Sequence, residues 1–400
     1  MKTYSKFSMP ESVFYGRDAL KQLGDEVATY GKKALLISDR IMEKIGHVGK
    51  CTDLLEMANV TYSSYLDVNS EPTDSHVKEA LDICVKEKCD VVIAIGGGSC
   101  MDAAKAVAVL ATNGGGINDY LHSTSALTKE PLPLITIPTT AGTGSEVTNV
   151  TVITNTKEDI KMMIKHPAFL PKVAIVDPVL TLSTPSSVTA ATGIDALCHA
   201  MEAYLSKRSQ PLTDNLALSA IEDILTYIKR AYDNGEDMEA REKMATASMK
   251  AGLAFTNASV TLVHGMSRPI GALFHVPHGI SNAMLLPAVL EFTKEEATEN
   301  LAVIGRLLYP ESKAFEDERL ADLVIHKIKL LCSELNIPNM KKWGIDKEEF
   351  QQVVDKMATD ALASGSPENN PKVPSHEEII ELYYTCYEYD FSVSEEMLKS

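Results

Sequence analysis

The chain has 400 residues, 45% of them hydrophobic and 23% charged, with a formal net charge of −17 at pH 7. This is the composition of an ordinary globular protein, long enough for two or three domains and a large core. The acidic excess argues against nucleic acid or an anionic membrane as a partner, and no apolar run approaches the roughly 20 residues of a membrane helix. A small anionic substrate in a locally basic site stays compatible. The first residues, Met1 to Phe7, carry no signal-peptide core. The seven cysteines are scattered, odd in number and without a CxxC pair, which fits a reduced, cytoplasmic setting.

In chain order, the first ~180 residues alternate short apolar runs with helical stretches. Strands are expected at Lys33–Ser38, Cys89–Ile95, Leu132–Ile137 and Val173–Val176, and helices at Asp74–Lys86 and Ser99–Ala111. Continuous apolar strands separated by helices predict a mostly parallel α/β sheet covered on both faces. The pattern changes at Leu182-Ser-Thr-Pro-Ser. Beyond it come long Leu/Ala/Ile/Met-rich periodic runs, at 191–205, 212–234, 239–257 and 316–335. The expectation is an α/β domain over 1–183 and an all-helical domain over 184–400, with the Pro/Ser cluster as the boundary. The acidic, aromatic tail from Tyr383 adds nothing to this reading.

Three segments read as nucleotide-binding. Gly96-Gly97-Gly98-Ser99 follows a strand and opens a helix. Glycines admit phosphate close to the backbone, and a helix N-terminus supplies free N–H groups and a positive dipole. A plain strand–helix turn would look the same. Asp39 closes an earlier strand, where a carboxylate can bond ribose hydroxyls and would repel a 2′-phosphate, favouring NAD(H) over NADP(H); read alone, it is a turn residue. The third segment, Pro138-Thr-Thr-Ala-Gly-Thr-Gly-Ser-Glu-Val-Thr148, puts hydroxyls and glycines directly after a strand.

The second domain carries the chemistry. Asp195 and His199 are four apart, hence on one helical face. Two later histidines stand in Val263-His264-Gly265 and Val276-Pro277-His278-Gly279. One carboxylate and three imidazoles suit a divalent transition metal such as Fe²⁺, Zn²⁺ or Mn²⁺. His47, His76, His122, His166, His326 and His376 have no motif context and read as ordinary residues.

Together, the GGGS turn, the PTTAGTGSEVT loop, the Asp195/His199 helix and the HG…PHG stretch resemble the iron-containing (group III) alcohol dehydrogenase family, over essentially the whole chain. The resemblance implies an N-terminal nucleotide-binding α/β domain and a C-terminal all-α metal-binding domain, the fold shared with dehydroquinate synthase. It implies metal ligands at Asp195, His199, His264 and His278. Cofactor contacts fall on Asp39, Gly97, Gly98, Ser99, Asp102, Thr139, Thr140, Thr143 and Lys161, the last near the nicotinamide end. NAD(H) and one divalent metal are then the cofactors. The partner is a small aldehyde or alcohol, and the chain is expected to form a homodimer or higher homo-oligomer.

One departure carries information. The family usually reads His-x-x-Ala-His-x-Leu-Gly-Gly after the third ligand, whereas this chain reads His264-Gly-Met-Ser-Arg268-Pro-Ile-Gly-Ala. Arginine cannot serve as a base near neutral pH, but it binds anions through paired hydrogen bonds. Two readings follow: Arg268 is neutralised by a carboxylate and holds the helix, or it receives the anionic head of a short aldehyde such as sulfoacetaldehyde, which would be reduced to isethionate. His275 is then a candidate for proton transfer. A general short-chain alcohol, diol or lactaldehyde dehydrogenase is the alternative, and a lyase of the dehydroquinate synthase type ranks lower. A metal hydrolase would need a motif such as His-Glu-x-x-His, which is missing.

Overall fold

The computed structural model describes residues 4–69, 71–121, 127–158, 160–312 and 314–392; His122 lies outside them. The chain divides into two compact units, Ser8–Thr184 and a second that takes in Pro185 onward. The described N-terminal residues through Phe7 group with the second unit, where Lys6 O accepts a 3.4 Å hydrogen bond from Gln210 Nε2.

The first unit runs β1 (Ser12–Tyr15), α1 (Leu23–Tyr30), β2 (Lys33–Ile37), α2 (Arg40–Lys44), α3 (His47–Met57), β3 (Thr61–Tyr65), α4 (Asp74–Glu87), β4 (Val91–Gly96), α5 (Gly98–Asn113), β5 (Leu134–Pro138), β6 (Val150–Asn155), β7 (Ile160–Lys165) and β8 (Val173–Val176). Six of these strands form one parallel sheet in the order β1-β8-β5-β4-β2-β3. Side chains alternate across a strand, and the core divides accordingly. Leu35, Ile37, Val92 and Ala94 face the cluster under α4 and α5. Ala34, Leu36, Val91, Ile93 and Ile95 face the cluster that holds residues of α1 and α3. Every residue of β4 is buried, as a central strand covered on both faces requires. β6 and β7 make a separate antiparallel pair.

The second unit is helical: α6 (Ser186–Leu205), α7 (Pro211–Asp233), α8 (Met238–Ala258), α9 (Leu262–Phe274), α10 (His278–Leu308), α11 (Asp317–Glu334), α12 (Met340–Trp343), α13 (Lys347–Ala363) and α14 (His376–Tyr387). Side-chain caps fix several starts: Asp237 accepts from Ala240 N, Asp346 from Glu349 N, and Ser375 forms a reciprocal capping box with Glu378. α6 packs against α7, α8 and α10, so its inward face is enclosed by its own neighbours. α9 and α10 each contain an internal proline, Pro269 and Pro287. The fully buried Tyr383 of α14 donates to Met266 O at 2.7 Å, which anchors the first half of α9. No helix among the described residues is long and apolar enough to cross a membrane.

Candidate functional site

α6 places Asp195, His199 and Glu202 on one face at spacings of four and three, and all three are at most 5% exposed. His264 lies in the first turn of α9 and His278 opens α10. Two glycines explain how these helix starts reach α6 and its surroundings. A Cβ on Gly279 would lie 2.5 Å from the Ala191 carbonyl oxygen, so only glycine lets the first turn of α10 seat against the α6 backbone. A Cβ on Gly265 would meet the Pro367 ring at 2.8 Å. The repeated His-Gly pair is therefore a packing requirement beside each of these two histidines.

One ligand atom each from Asp195, His199, His264 and His278 falls within 4.8 Å of the others. The His199 ring stacks between Phe255, at 4.1 Å, and His264, at 4.4 Å between centroids. His264 Nδ1 hydrogen-bonds Glu202 Oε2, which turns Nε2 towards Asp195 Oδ1, 3.6 Å away. The other Glu202 oxygen accepts from Thr261 N, Thr261 Oγ1 and His264 N at 2.9–3.2 Å. Fully buried Asn282, one turn after His278, puts its Nδ2 at 2.6 Å from Asp195 Oδ1, 3.1 Å from His264 Nε2 and 3.2 Å from His278 Nε2. Spacing alone carries a signal for both residues that the sequence reading missed. Glu202 is three after His199 and seven after Asp195, and Asn282 is four after His278.

The donor set fits a divalent cation. An amide has two N–H groups, yet Asn282 Nδ2 faces one carboxylate oxygen and two imidazole nitrogens, and buried His199 Nδ1 has no hydrogen-bond partner among the described residues. Burial alone would raise the Asp195 pKa, but facing His199, His278 and His264 hold it well below the usual carboxylate range. Burial lowers His199 to about 3, so its ring is neutral at neutral pH and one ring nitrogen keeps its lone pair available. For His264, burial pulls downward, but Glu202 and Asp195 outweigh it and raise the value to about 9. The carboxylates that favour a proton on Nε2 favour a metal ion there equally, and metal binding would release that proton. Glu202 bonded to Nδ1 is the outer partner that metal-ligating histidines commonly have.

Arg268 stands one turn beyond His264, half-buried, in the field of Glu202. His275 ends α9 with φ +53° and is exposed, and the His278 side chain is 43% exposed.

The first unit assembles the other group of expected residues. Asp39 Oδ1 accepts from Ile41 N at 2.8 Å and Met42 N at 2.9 Å, capping α2. The turn reading is thus satisfied by one oxygen, while Oδ2 lies 3.7 Å from Cys100 Sγ, beside the glycine turn. The three glycines differ in their reasons. Gly96 has φ +148° and its Cβ would lie 2.7 Å from Cys100 Sγ; Gly98 would meet Thr143 Cγ2 at 2.9 Å. Gly97 has an ordinary φ of −77°, and among the described residues a Cβ there would find only Thr140 Oγ1, at 3.9 Å. No described neighbour demands glycine at 97. It caps the N-terminus of α5, a place where bare backbone N–H groups could receive a phosphate closely.

Thr140, Thr143 and Ser99 are partly accessible and Thr139 is buried. Asp102 is more committed than expected: Oδ1 accepts from Ser145 Oγ at 2.7 Å and Oδ2 from Val152 N at 2.9 Å. Lys161, on β7, pairs with Glu71 at 2.7 Å.

A parallel sheet with a helix-opening glycine turn, in one chain with an Asp/His₃ cluster buried at three of its four residues, defines a nucleotide-binding, metal-dependent oxidoreductase. The description "Iron-containing alcohol dehydrogenase" matches residues 10–178, and that of the Fe-containing alcohol dehydrogenase family, C-terminal, matches 189–387. Alcohol dehydrogenase 4 of Schizosaccharomyces pombe is 38% identical, covering 94% of this chain and 87% of its own. Among solved structures, 1,3-propanediol oxidoreductase superposes with a TM-score of 0.91 at 34% identity, covering 96% of this chain and 100% of its own. Sulfoacetaldehyde reductase from Bifidobacterium kashiwanohense, solved with NAD⁺, gives 0.86 at 29% identity, with 97% and 100% covered. The chain belongs to the iron-containing alcohol dehydrogenase family, and its activity is that of an NAD-dependent, metal-containing alcohol dehydrogenase.

Proposed function

We propose that this enzyme interconverts a short-chain aldehyde and its primary alcohol, and that the aldehyde carries an anionic head, such as the sulfonate of sulfoacetaldehyde, received by Arg268. The observation that carries the reading is the position of Arg268, half-buried on the same face as His264 and one turn away. Asp195, His199, His264 and His278 would hold the divalent metal, which is Fe²⁺, Zn²⁺ or Mn²⁺. When bound, that metal supplies Lewis-acid polarisation and reduced nicotinamide supplies hydride.

The chain's own groups do the rest. Backbone N–H groups at Gly97–Ser99 hold the pyrophosphate, and Asp39 Oδ2 takes the ribose hydroxyls. Asp102, Thr139, Thr140 and Thr143 complete the nucleotide site, with Lys161 assigned to its nicotinamide end on family resemblance. His275, exposed at the end of α9, carries the proton to and from solvent. The described cysteines are all free and buried, in keeping with a cytoplasmic enzyme. The edge strand β1, with Tyr15 64% exposed, offers an open edge for the homo-oligomer expected.

A neutral alcohol or diol is the second reading, favoured by the similarity to 1,3-propanediol oxidoreductase. The test compares kcat/KM for sulfoacetaldehyde and propionaldehyde in metal-reconstituted enzyme. The anionic reading expects a preference for the sulfonate of ~100-fold, on the order of 3 kcal/mol. Arg268→Ala should abolish that preference through KM while leaving propionaldehyde turnover within a few-fold. Equal losses on both substrates would return Arg268 to a structural role.

A further inference from the structure

α5 is buried on nearly all sides by small apolar residues, and one charged side chain lies wholly within that packing: Lys105, 0% exposed. Its ammonium donates to Ser145 Oγ at 2.7 Å, Thr148 Oγ1 at 3.0 Å and Val150 O at 2.8 Å. Three N–H groups therefore meet three acceptors, and Asp102 Oδ1 lies 3.7 Å away. A methionine would fill the same space without desolvating a charge, so the ammonium is explained by what it grips.

All three acceptors belong to the segment that follows Thr139–Thr143. Gly98, Asp102 and Lys105 lie at spacings of four and three on one face of α5, and each holds the next part of that segment. Gly98 abuts Thr143. Asp102 takes Ser145 Oγ and Val152 N through its carboxylate and Thr151 Oγ1 through its carbonyl, the last at 2.8 Å. Lys105 takes residues 145, 148 and 150. The Ser145 hydroxyl accepts from Lys105 and donates to Asp102, joining the two. On the other side Thr139 N bonds Gly96 O at 3.0 Å, and Thr140 Oγ1 stands beside Gly97. The hydroxyl loop and the glycine turn are thus held to one helix from both ends.

We propose that Lys105 is a positioning residue for the nucleotide: its buried ammonium sets residues 143–152 against α5, so that Thr139, Thr140 and Thr143 present themselves to the Gly97–Ser99 turn. This rests on the reading of that turn as the NAD(H) site. Burial pushes the Lys105 pKa down to about 8 and that of neighbouring buried Glu146 up to about 7, in keeping with a site where charge is retained at a cost.

The test is NADH affinity of the metal-loaded full chain by fluorescence titration, for the unsubstituted protein and for Lys105→Met. The expected result is a rise in Kd of about tenfold or more, the scale of a displaced positioning contact. With NADH saturating, kcat should stay within about threefold, metal content should be unchanged, and hydrogen exchange should quicken over residues 143–152. If Lys105→Met does not fold, Thr148→Val removes one of the three acceptors without changing shape and should raise Kd about threefold, the scale of one hydrogen bond. A folded variant that binds NADH as tightly as the unsubstituted chain overturns the positioning role alone. Failure of the unsubstituted chain to bind NADH overturns the site reading and this role with it.

Discussion

A single hydrogen atom at position 279 governs where His278, the fourth of the proposed metal ligands, stands. The side-chain position of Gly279 is filled by the Ala191 carbonyl of α6, 2.5 Å from where a Cβ would sit. A neighbouring backbone cannot yield as a flexible side chain can, so Gly279→Ala must push the first turn of α10 away from α6. His278 and Asn282 travel with it, because both ride that turn and the next. We expect metal affinity to fall ~10-fold or more, the range seen when the support of a ligand rather than the ligand is altered, with all four ligands still present. His264→Ala, which deletes a ligand, should lose metal and turnover together. Competitive chelation separates the two variants. Unaltered metal retention in Gly279→Ala would mean that α10 absorbs the methyl by sliding, and that its seat on α6 does not position His278. Glu202 and Asn282 belong to the same scale. Neither lies in a recognisable motif, yet helical spacing from Asp195, His199 and His278 places both beside the proposed ligands, so extending each helix by one more turn makes them legible in the sequence.

At the scale of elements, burial decided what the sequence disclosed. The four strands expected from apolar runs are β2, β4, β5 and β8, which are the four central strands of the sheet. The two edges, β1 and β3, were not expected; β3 reads Thr-Tyr-Ser-Ser-Tyr, and an edge strand carries no continuous apolar run. The antiparallel pair β6–β7 was missed because its residues alternate in burial and lie beside the polar loop. The expected helices in the first half of the second unit match α6, α7 and α8 to within a few residues, whereas α9 and α10 escaped because internal prolines interrupt their pattern. The polar loop before β6 hides a feature no periodicity reveals, a carboxyl buried beside α5. Burial raises Glu146 from 4.5 to about 7, with Lys105 pulling the other way. The folded chain therefore binds more protons than the unfolded chain between these values, and this group's contribution to stability is lost as pH rises from 4.5 through 7. Glu146→Gln should remove that slope, gaining about 3 kcal/mol on the parent between pH 5 and 8. Urea unfolding at both pH values measures it; the same stability difference at each would show that Glu146 stays ionised in the fold.

At the scale of the whole molecule, two compact units each carry one group of the proposed binding residues. Asp195, His199, His264 and His278 tie α6, α9 and α10 of the helical unit at one point, while the glycine turn and the hydroxyl loop belong to the α/β unit. A ligand that binds only the folded state stabilises it by RT ln(1 + [L]/Kd), about 2.7 kcal/mol at a hundredfold excess over Kd, and local stability changes most where the ligand's own contacts are made. Metal removal should therefore quicken amide exchange in α6, α9 and the first turns of α10, leaving β2, β4 and β5 protected as before. NADH added to the metal-loaded protein should slow exchange at residues 97–102 and 139–152. Peptide-level hydrogen exchange before and after chelation reads both. Loss of protection in the central strands equal to that in α6 would mean that the two units share one cooperative fold and that the metal supports it as a whole. Protection lost in α6, α9 and α10 alone would assign the metal's stabilising effect to the helices that supply its ligands.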